Sequence, residues 1–431
     1  MSPTDIGLLG IGLLIVLLLF GLHIALCMIL VGFLGFLWIV SITPALDNLA
    51  LVPFATVNSY DFAVIPLFLL MSTFIYHGGI GREAFETARA WVGRIRGGLA
   101  MATVGACGLF AATSGSSIAC AVAMGKVAFP EMQRQNYSDE LASGCIIAGA
   151  SLGILIPPSI QMVIVGILTE VSIGKLFMAG IIPGLLEIVF YMLTIYLMCR
   201  IKPNLAPVVP GVSFKEKIAS LRLTWPVFFL FILVMGGIYL GVFTPTEAGA
   251  IGAFGAFVIG LARRKLPWQN LKEALIEAVG TSGMLLLLIV GSFSFIAFLA
   301  VSRIPFVASD FVVSLNVPKY AILAVILIIY LILGTFFSIT SIIVLTIPIV
   351  FPTILALDFD PIWFSILLVR VSEVGFITPP FGLNLFGFMG VVRIPVETIY
   401  RGVIPFVIAD ILHITLLVIF PSLCLFIPNL M

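Results

Sequence analysis

The sequence predicts an all-α polytopic membrane protein, an inverted repeat with two re-entrant hairpins and two helices broken at Pro-Pro. Three observations carry this. First, of 431 residues 61% are hydrophobic and only 10% charged, against about 25% charged in an ordinary soluble domain. Second, the apolar stretches recur at a fixed offset of 222 residues. Third, each copy has its interruptions at the same places. A surface so poor in charge needs lipid as its solvent, which excludes soluble, disordered and nucleic-acid-binding classes. A hydrocarbon core takes roughly 20 apolar residues per crossing, so the length allows about twelve crossings with their connections, of which the placement of the basic loops threads about eleven. The net charge of +1 gives no field to steer a macromolecule. No hydrophilic stretch exceeds about 25 residues, so no attached soluble domain is expected.

In order, 6–20 and 22–40 read as helices split at Gly21, and 63–76 as a third. The opening run is too long, and lacks the basic start, for a cleaved signal. Residues 80–96 alternate apolar and basic at helical spacing, predicting an amphipathic helix in the membrane interface. Segment 97–132 is apolar but interrupted at Thr113-Ser114-Gly115-Ser116-Ser117, and 141–168 breaks at Pro157-Pro158. A span at 176–198 leads into a basic connection, 200–222. Spans at 225–242, 248–262 and 271–301 follow. Segment 320–352 is interrupted at 334–341, 362–389 breaks at Pro379-Pro380, and 403–426 is the last span. Thr244-Pro245-Thr246-Glu247 reads as a capping box with proline at the first helical position.

Subtracting 222 lays Ser338 on Ser116, Val344 on Val122 and Phe351-Pro352 on Phe129-Pro130. It lays Ser365 on Ser143, Gly375 on Gly153 and Pro379-Pro380 on Pro157-Pro158. Gly402, Ile404 and Pro405 fall on Gly180, Ile182 and Pro183. That is eleven identities over 68 ungapped positions. They fall mostly on Gly, Pro and Ser, which set backbone geometry, whereas chance likeness would match Leu and Val. The basic segments 80–96, 200–222 and 263–272 belong in the cytoplasm by the positive-inside rule. Both termini then lie outside, and the two hairpins enter from opposite faces. An inverted repeat of this kind marks secondary transporters.

Two prolines in a row remove backbone donors and free carbonyls one turn earlier. Such backbone is tolerated at membrane depth only where protein or a polar cavity receives it. Freed carbonyls suit a cation, and a half-helix N-terminus favours an anion. A kink used only for packing is the competing reading, weakened by the two matched occurrences. The hairpin turns, 113–117 and 334–341, offer hydroxyls and carbonyls for a hard cation such as Na⁺. Close helix packing of small residues competes there. The candidate Na⁺ ligands are therefore Ser114, Ser116, Ser117, Gly153 and Pro157 in one half. Gly334, Ser338, Ser341, Gly375 and Pro379 are their counterparts in the other. Substrate is expected between the two sets, near Ser159, Thr378 and Asn384, with Arg303 as a charge partner or a snorkelling residue.

Charges inside apolar segments are few: Glu187, Arg303, Arg370, Glu373 and Asp410. Each is a functional candidate by position. Arg370 and Glu373, spaced i,i+3, are expected to pair on one helix face. Glu187 and Asp410 follow matched prolines, as structural charges or a proton relay. The six cysteines form no CxxC and read as small core residues. The three histidines lie far apart, and HExxH, Walker and GxSxG motifs are missing, so no enzyme is expected. A channel would need a continuous polar pore, which inverted hairpins argue against.

The segments Ser114-Gly115-Ser116-Ser117, 153–159, 244–247 and 377–386 resemble those of the large membrane subunit of tripartite ATP-independent periplasmic (TRAP) transporters. The resemblance covers essentially the whole chain. It implies an elevator-type transporter in the bacterial inner membrane, fed with an organic acid by a periplasmic substrate-binding protein. It also implies Na⁺ coupling and a separate small four-helix membrane subunit. Where many members carry an acidic residue in the second hairpin turn, this chain has Ser338. The pieces are then 1–96 and 216–318 as scaffold, with 200–222 a cytoplasmic connection. Residues 97–199 and 319–431 are the two transport pieces, each a hairpin plus a broken helix. The alternative is a stand-alone divalent-anion:sodium symporter working without a binding protein.

Overall fold

The computed structural model describes residues 1–431 except 93–94, 208–212, 316 and 380; of residues 80, 111–114 and 214 it describes the backbone alone. All regular structure among the described residues is helical. The first half runs α1 (Pro3–Leu19), α2 (Ile24–Ile39), α3 (Ile42–Val57), α4 (Val64–His77) and α5 (Ile80–Val92), then α6 (Gly98–Ser114), α7 (Ser117–Arg134), α8 (Asp139–Leu155), α9 (Ile160–Thr169) and α10 (Ile173–Ile201). The second half runs α11 (Phe214–Tyr239), α12 (Pro245–Ala262), α13 (Trp268–Ser302) and α14 (Ile304–Ser314), then α15 (Lys319–Phe336), α16 (Ile339–Ala356), α17 (Pro361–Ile377), α18 (Leu383–Met389) and α19 (Val396–Ile419). Among the described residues nine helical stretches are long and apolar enough to cross a membrane.

Local chemistry sets the ends. Ser2 with Asp5 and Thr244 with Glu247 close capping boxes, and Pro245 opens α12. Asp360 caps α17 by accepting from the Ile362 and Trp363 amides at 2.9 Å. Such caps satisfy backbone donors that a helix start leaves orphaned. Gly21, at φ +78°, splits α1 from α2 as expected. Helix α3 was not anticipated: its polar Asp47 and Asn48 and its internal Pro53 hid a helix that lies against α2 and α13. Helix α5 forms as expected, and its buried face, including Glu83, Ala84 and Phe85, packs on α6, α7 and α11. Glu83 there receives two hydrogen bonds from Arg263, at 2.8 and 3.0 Å, and pairs with Lys265.

Helix contacts recur in pairs. α2 lies along α13 while α4 lies along α12; α6 packs on α8 as α15 packs on α17; α9 meets α16 as α18 meets α7. The last pairing is reciprocal, each half's short helix touching the other half's hairpin. Both apolar cores accordingly draw residues from both halves. The innermost helices are α8 and α17, buried without a gap from Leu141 to Leu155 and from Trp363 to Ile377. Small residues make this approach feasible, as is usual between membrane helices. At Gly144 an added Cβ would stand 2.2 Å from the Gly402 carbonyl oxygen of α19.

Candidate functional site

The expected breaks are present. α8 stops at Leu155 and α9 resumes at Ile160; α17 stops at Ile377 and α18 resumes at Leu383. Each hairpin turn seats on the break of its own half. A Cβ on Gly115 would stand 3.1 Å from the Pro158 carbonyl oxygen, and one on Gly153 would stand 3.2 Å from the Ser116 carbonyl carbon. A Cβ on Gly375 would stand 2.6 Å from Gly334 Cα. Ser116, Ser117 and Gly153 thus gather in one half, with Pro157 next to the Pro158 that Gly115 approaches, and Gly334 and Gly375 meet in the other. Ser338 caps α16, and its hydroxyl meets the Ser341 hydroxyl at 2.6 Å. Pro379 follows the end of α17. Pro380 and the Ser114 side chain lie outside the described residues.

A cavity of about 300 Å³ opens between the hairpin turns and helices α4 and α13. Ser116, Ser117, Ser338 and Thr340 line it from the turns, and Gln161 from α9. Ser72, Thr73 and Tyr76 face it from α4, Glu277 and Thr281 from α13. Among the described residues no lysine or arginine lines it. Glu277 is held at its edge by His77, 2.9 Å away. Helices α7 and α16 begin at this cavity behind their serine caps, and α9 begins beside it behind Ser159. Three helix N-termini, each a positive dipole end, therefore converge on this cavity. The C-terminal ends of α8 and α17 come to the same place, since Ile154 and Phe376 also line it.

The residues expected near substrate divide. Ser159 is buried just behind the cavity, capping α9. Thr378 donates its hydroxyl back to the Val374 carbonyl at 2.5 Å. Asn384 is fully buried and donates to Glu373 Oε1 at 3.0 Å, with the Ser117 hydroxyl beside the same carboxylate. Arg303 sits exposed at the left-handed junction of α13 and α14 and does not line the cavity.

The expected Arg370–Glu373 pair does not form. Arg370, 1% exposed, turns instead to Asp410 and to Glu187, the latter at 3.2 Å. Its Nε donates to His413 Nδ1 at 3.3 Å. Ser151 donates to Glu187 at 2.9 Å and meets the Tyr191 hydroxyl at 2.9 Å. The repeat offset lays His413 on Tyr191, so equivalent positions of the two halves converge on one guanidinium. Sequence reasoning missed Ser151, Tyr191 and His413. The signal was there: Glu187 with Tyr191 is i,i+4 and Asp410 with His413 is i,i+3, polar stripes on otherwise apolar helices.

The sequence profile of the tripartite ATP-independent periplasmic transporter family, DctM component, matches residues 11–423. The chain belongs to the DctM family. It is 38% identical to the C4-dicarboxylate TRAP transporter large permease DctM of Pseudomonas aeruginosa, over 92% of this chain and 93% of that one. It is 33% identical to the isethionate TRAP transporter permease DctMQ of Oleidesulfovibrio alaskensis, over 84% of this chain and 57% of that longer protein. The solved YdaH transporter of Alcanivorax borkumensis shares the fold at a TM-score of 0.66 and 16% identity, covering 88% of this chain and 89% of that one. This DctM-family chain is thus a multi-pass transporter subunit, not an enzyme.

Proposed function

We propose that this chain is the large permease of a TRAP transporter that takes up a small organic-acid anion, carboxylate or sulfonate, by Na⁺ symport across the bacterial inner membrane. A periplasmic binding protein delivers the anion, and a small four-helix subunit completes the membrane part. The relative whose name joins M and Q, longer than this chain, supports a second membrane component. The observation that carries the proposal is the cavity: three helix N-termini for the anion, and helix C-termini with hydroxyls for Na⁺, meet in about 300 Å³. That volume is at the small end of ligand pockets, roughly 300–1,000 Å³. Segments 97–199 and 319–431 move as the transport pieces against 1–96 and 216–318, and both termini are periplasmic. The Na⁺ ligands come from the hydroxyls of Ser116 and Ser338 and the carbonyls near Gly153 and Gly375. The test is uptake in proteoliposomes, with and without a Na⁺ gradient, binding protein and small subunit. Full uptake by this chain alone, or uptake indifferent to Na⁺, refutes the proposal.

A further inference from the structure

A second cavity of about 300 Å³ lies away from the transport cavity, between α5 and α7. On α5 its wall carries Arg82, Glu86 and Arg89; on α7 it carries Lys126, Glu131 and Arg134. The spacings i, i+4, i+7 and i, i+5, i+8 put each trio on one helical face. Four cations stand against two carboxylates, a formal excess of +2 (4 − 2). The acids are engaged already: Glu131 bridges the helices to Arg89 at 2.9 Å, and Glu86 holds Arg82 at 3.2 Å. Among the described residues Lys126 has no ion-pair partner. Arg82 and Arg134 stand at the rim, their side chains 77% and 78% exposed. The floor is apolar: Phe85, Val127 and Pro130.

A cationic rim over an apolar floor, between helices at a membrane surface, matches one ligand chemistry. It is a phosphate group carried on an apolar body. Glu83 on the same α5 is held by Arg263 and Lys265 of a basic loop, which the positive-inside rule assigns to the cytoplasmic face. Anionic lipid is attracted to that face. We infer that the α5–α7 cavity binds a phosphate group, supplied by the headgroup of an anionic phospholipid. The bound headgroup joins α5 to the first hairpin, which among the described ion pairs are otherwise linked through Arg89–Glu131 alone.

The test uses the full chain in nanodiscs. In discs mixing phosphatidylglycerol and phosphatidylcholine, native mass spectrometry reads retained lipid. In phosphatidylcholine discs, inorganic phosphate is titrated against the thermal midpoint, which separates a free phosphate from a headgroup. The variant Lys126→Glu with Arg134→Glu takes the cavity from +2 to −2 (2 − 4) at two exposed positions. Retained phosphatidylglycerol is expected to fall about 30-fold in this variant. Its midpoint in phosphatidylcholine alone is expected to match the parent. If the double variant does not fold, Lys126→Gln is read in the same two arms. Stabilisation by inorganic phosphate that the variant loses supports the same site with a free ligand. Equal lipid retention by parent and variant, with no response to phosphate, overturns the inference.

Discussion

Replacing Arg370 by Met tests the buried charge cluster. The guanidinium contacts Asp410, Glu187, His413 and Tyr191, and both carboxylates are 0% exposed. Met fills similar volume but leaves two carboxylates facing one another without a cation. Removing one partner of a buried ion pair costs about 3–5 kcal/mol. Taking about 2.1 cal/mol/K of unfolding entropy per residue over the chain, the thermal midpoint falls by roughly 3–6 °C. The triple variant Arg370→Met, Glu187→Gln, Asp410→Asn removes the stranded charges, and neutral replacements of a buried network are well tolerated. Most of the loss is therefore expected to return. Thermal unfolding of the four proteins (parent, Arg370→Met, the Glu187→Gln with Asp410→Asn pair, and the triple) completes the cycle. An Arg370→Met variant as stable as the parent, or a triple variant no better than the single, refutes the electrostatic account.

Ser116→Ala and Ser338→Ala each remove a hydroxyl from a hairpin turn; with about 1–3 kcal/mol lost for a buried ligand, apparent Na⁺ affinity drops roughly 5- to 150-fold. Unchanged Na⁺ dependence of uptake in both assigns these turns to packing alone. Gly375→Ala drives a Cβ to 2.4 Å from the Leu331 carbonyl oxygen; an overpacking cost of about 1–3 kcal/mol is expected as a lower midpoint and slower uptake, and normal values would show that α15 and α17 part freely. Glu83→Gln weakens the tie from α5 to Arg263 and Lys265, and the variant is expected to unfold earlier than the parent in a thermal scan. A single cysteine at position 431 of an otherwise cysteine-free variant is expected to label from the periplasmic side; labelling only from the cytoplasmic side would invert the topology.

The sequence discloses backbone features best. Pro157-Pro158, Pro379-Pro380 and the small residues of the turns act locally, so their consequences can be read without knowing the fold. The offset of 222 discloses the repeat for the same reason. Helix α3 escaped because Asp47, Asn48 and Pro53 break the hydropathy that marks a span, while its neighbours α2 and α13 still hold it. The partners of Arg370 escaped because they come from two other helices, α10 and α19. Spacing on one helix offers Glu373, three residues on, whereas the fold offers Glu187 and Asp410 from 183 and 40 positions away. Cavity residues on α4 and α13, such as Ser72 and Thr281, carry no local mark at all; they matter because the hairpin turns face them.

The meeting of Glu187 with Arg370 has a consequence for how the chain is made. A ribosome adds about 5–20 residues per second, so the 183 positions between them take roughly 10–40 s. Until then α10 waits with a carboxylate whose cation does not yet exist. Helix α8 waits as well, because its neighbour α19 is translated later still. The first half is inserted before it can be completed. Its polar stripe must be sheltered by water at the insertion site, by a chaperone or by a proton. The last helices then do more than extend the fold: their arrival releases the first half from a state that lipid does not tolerate.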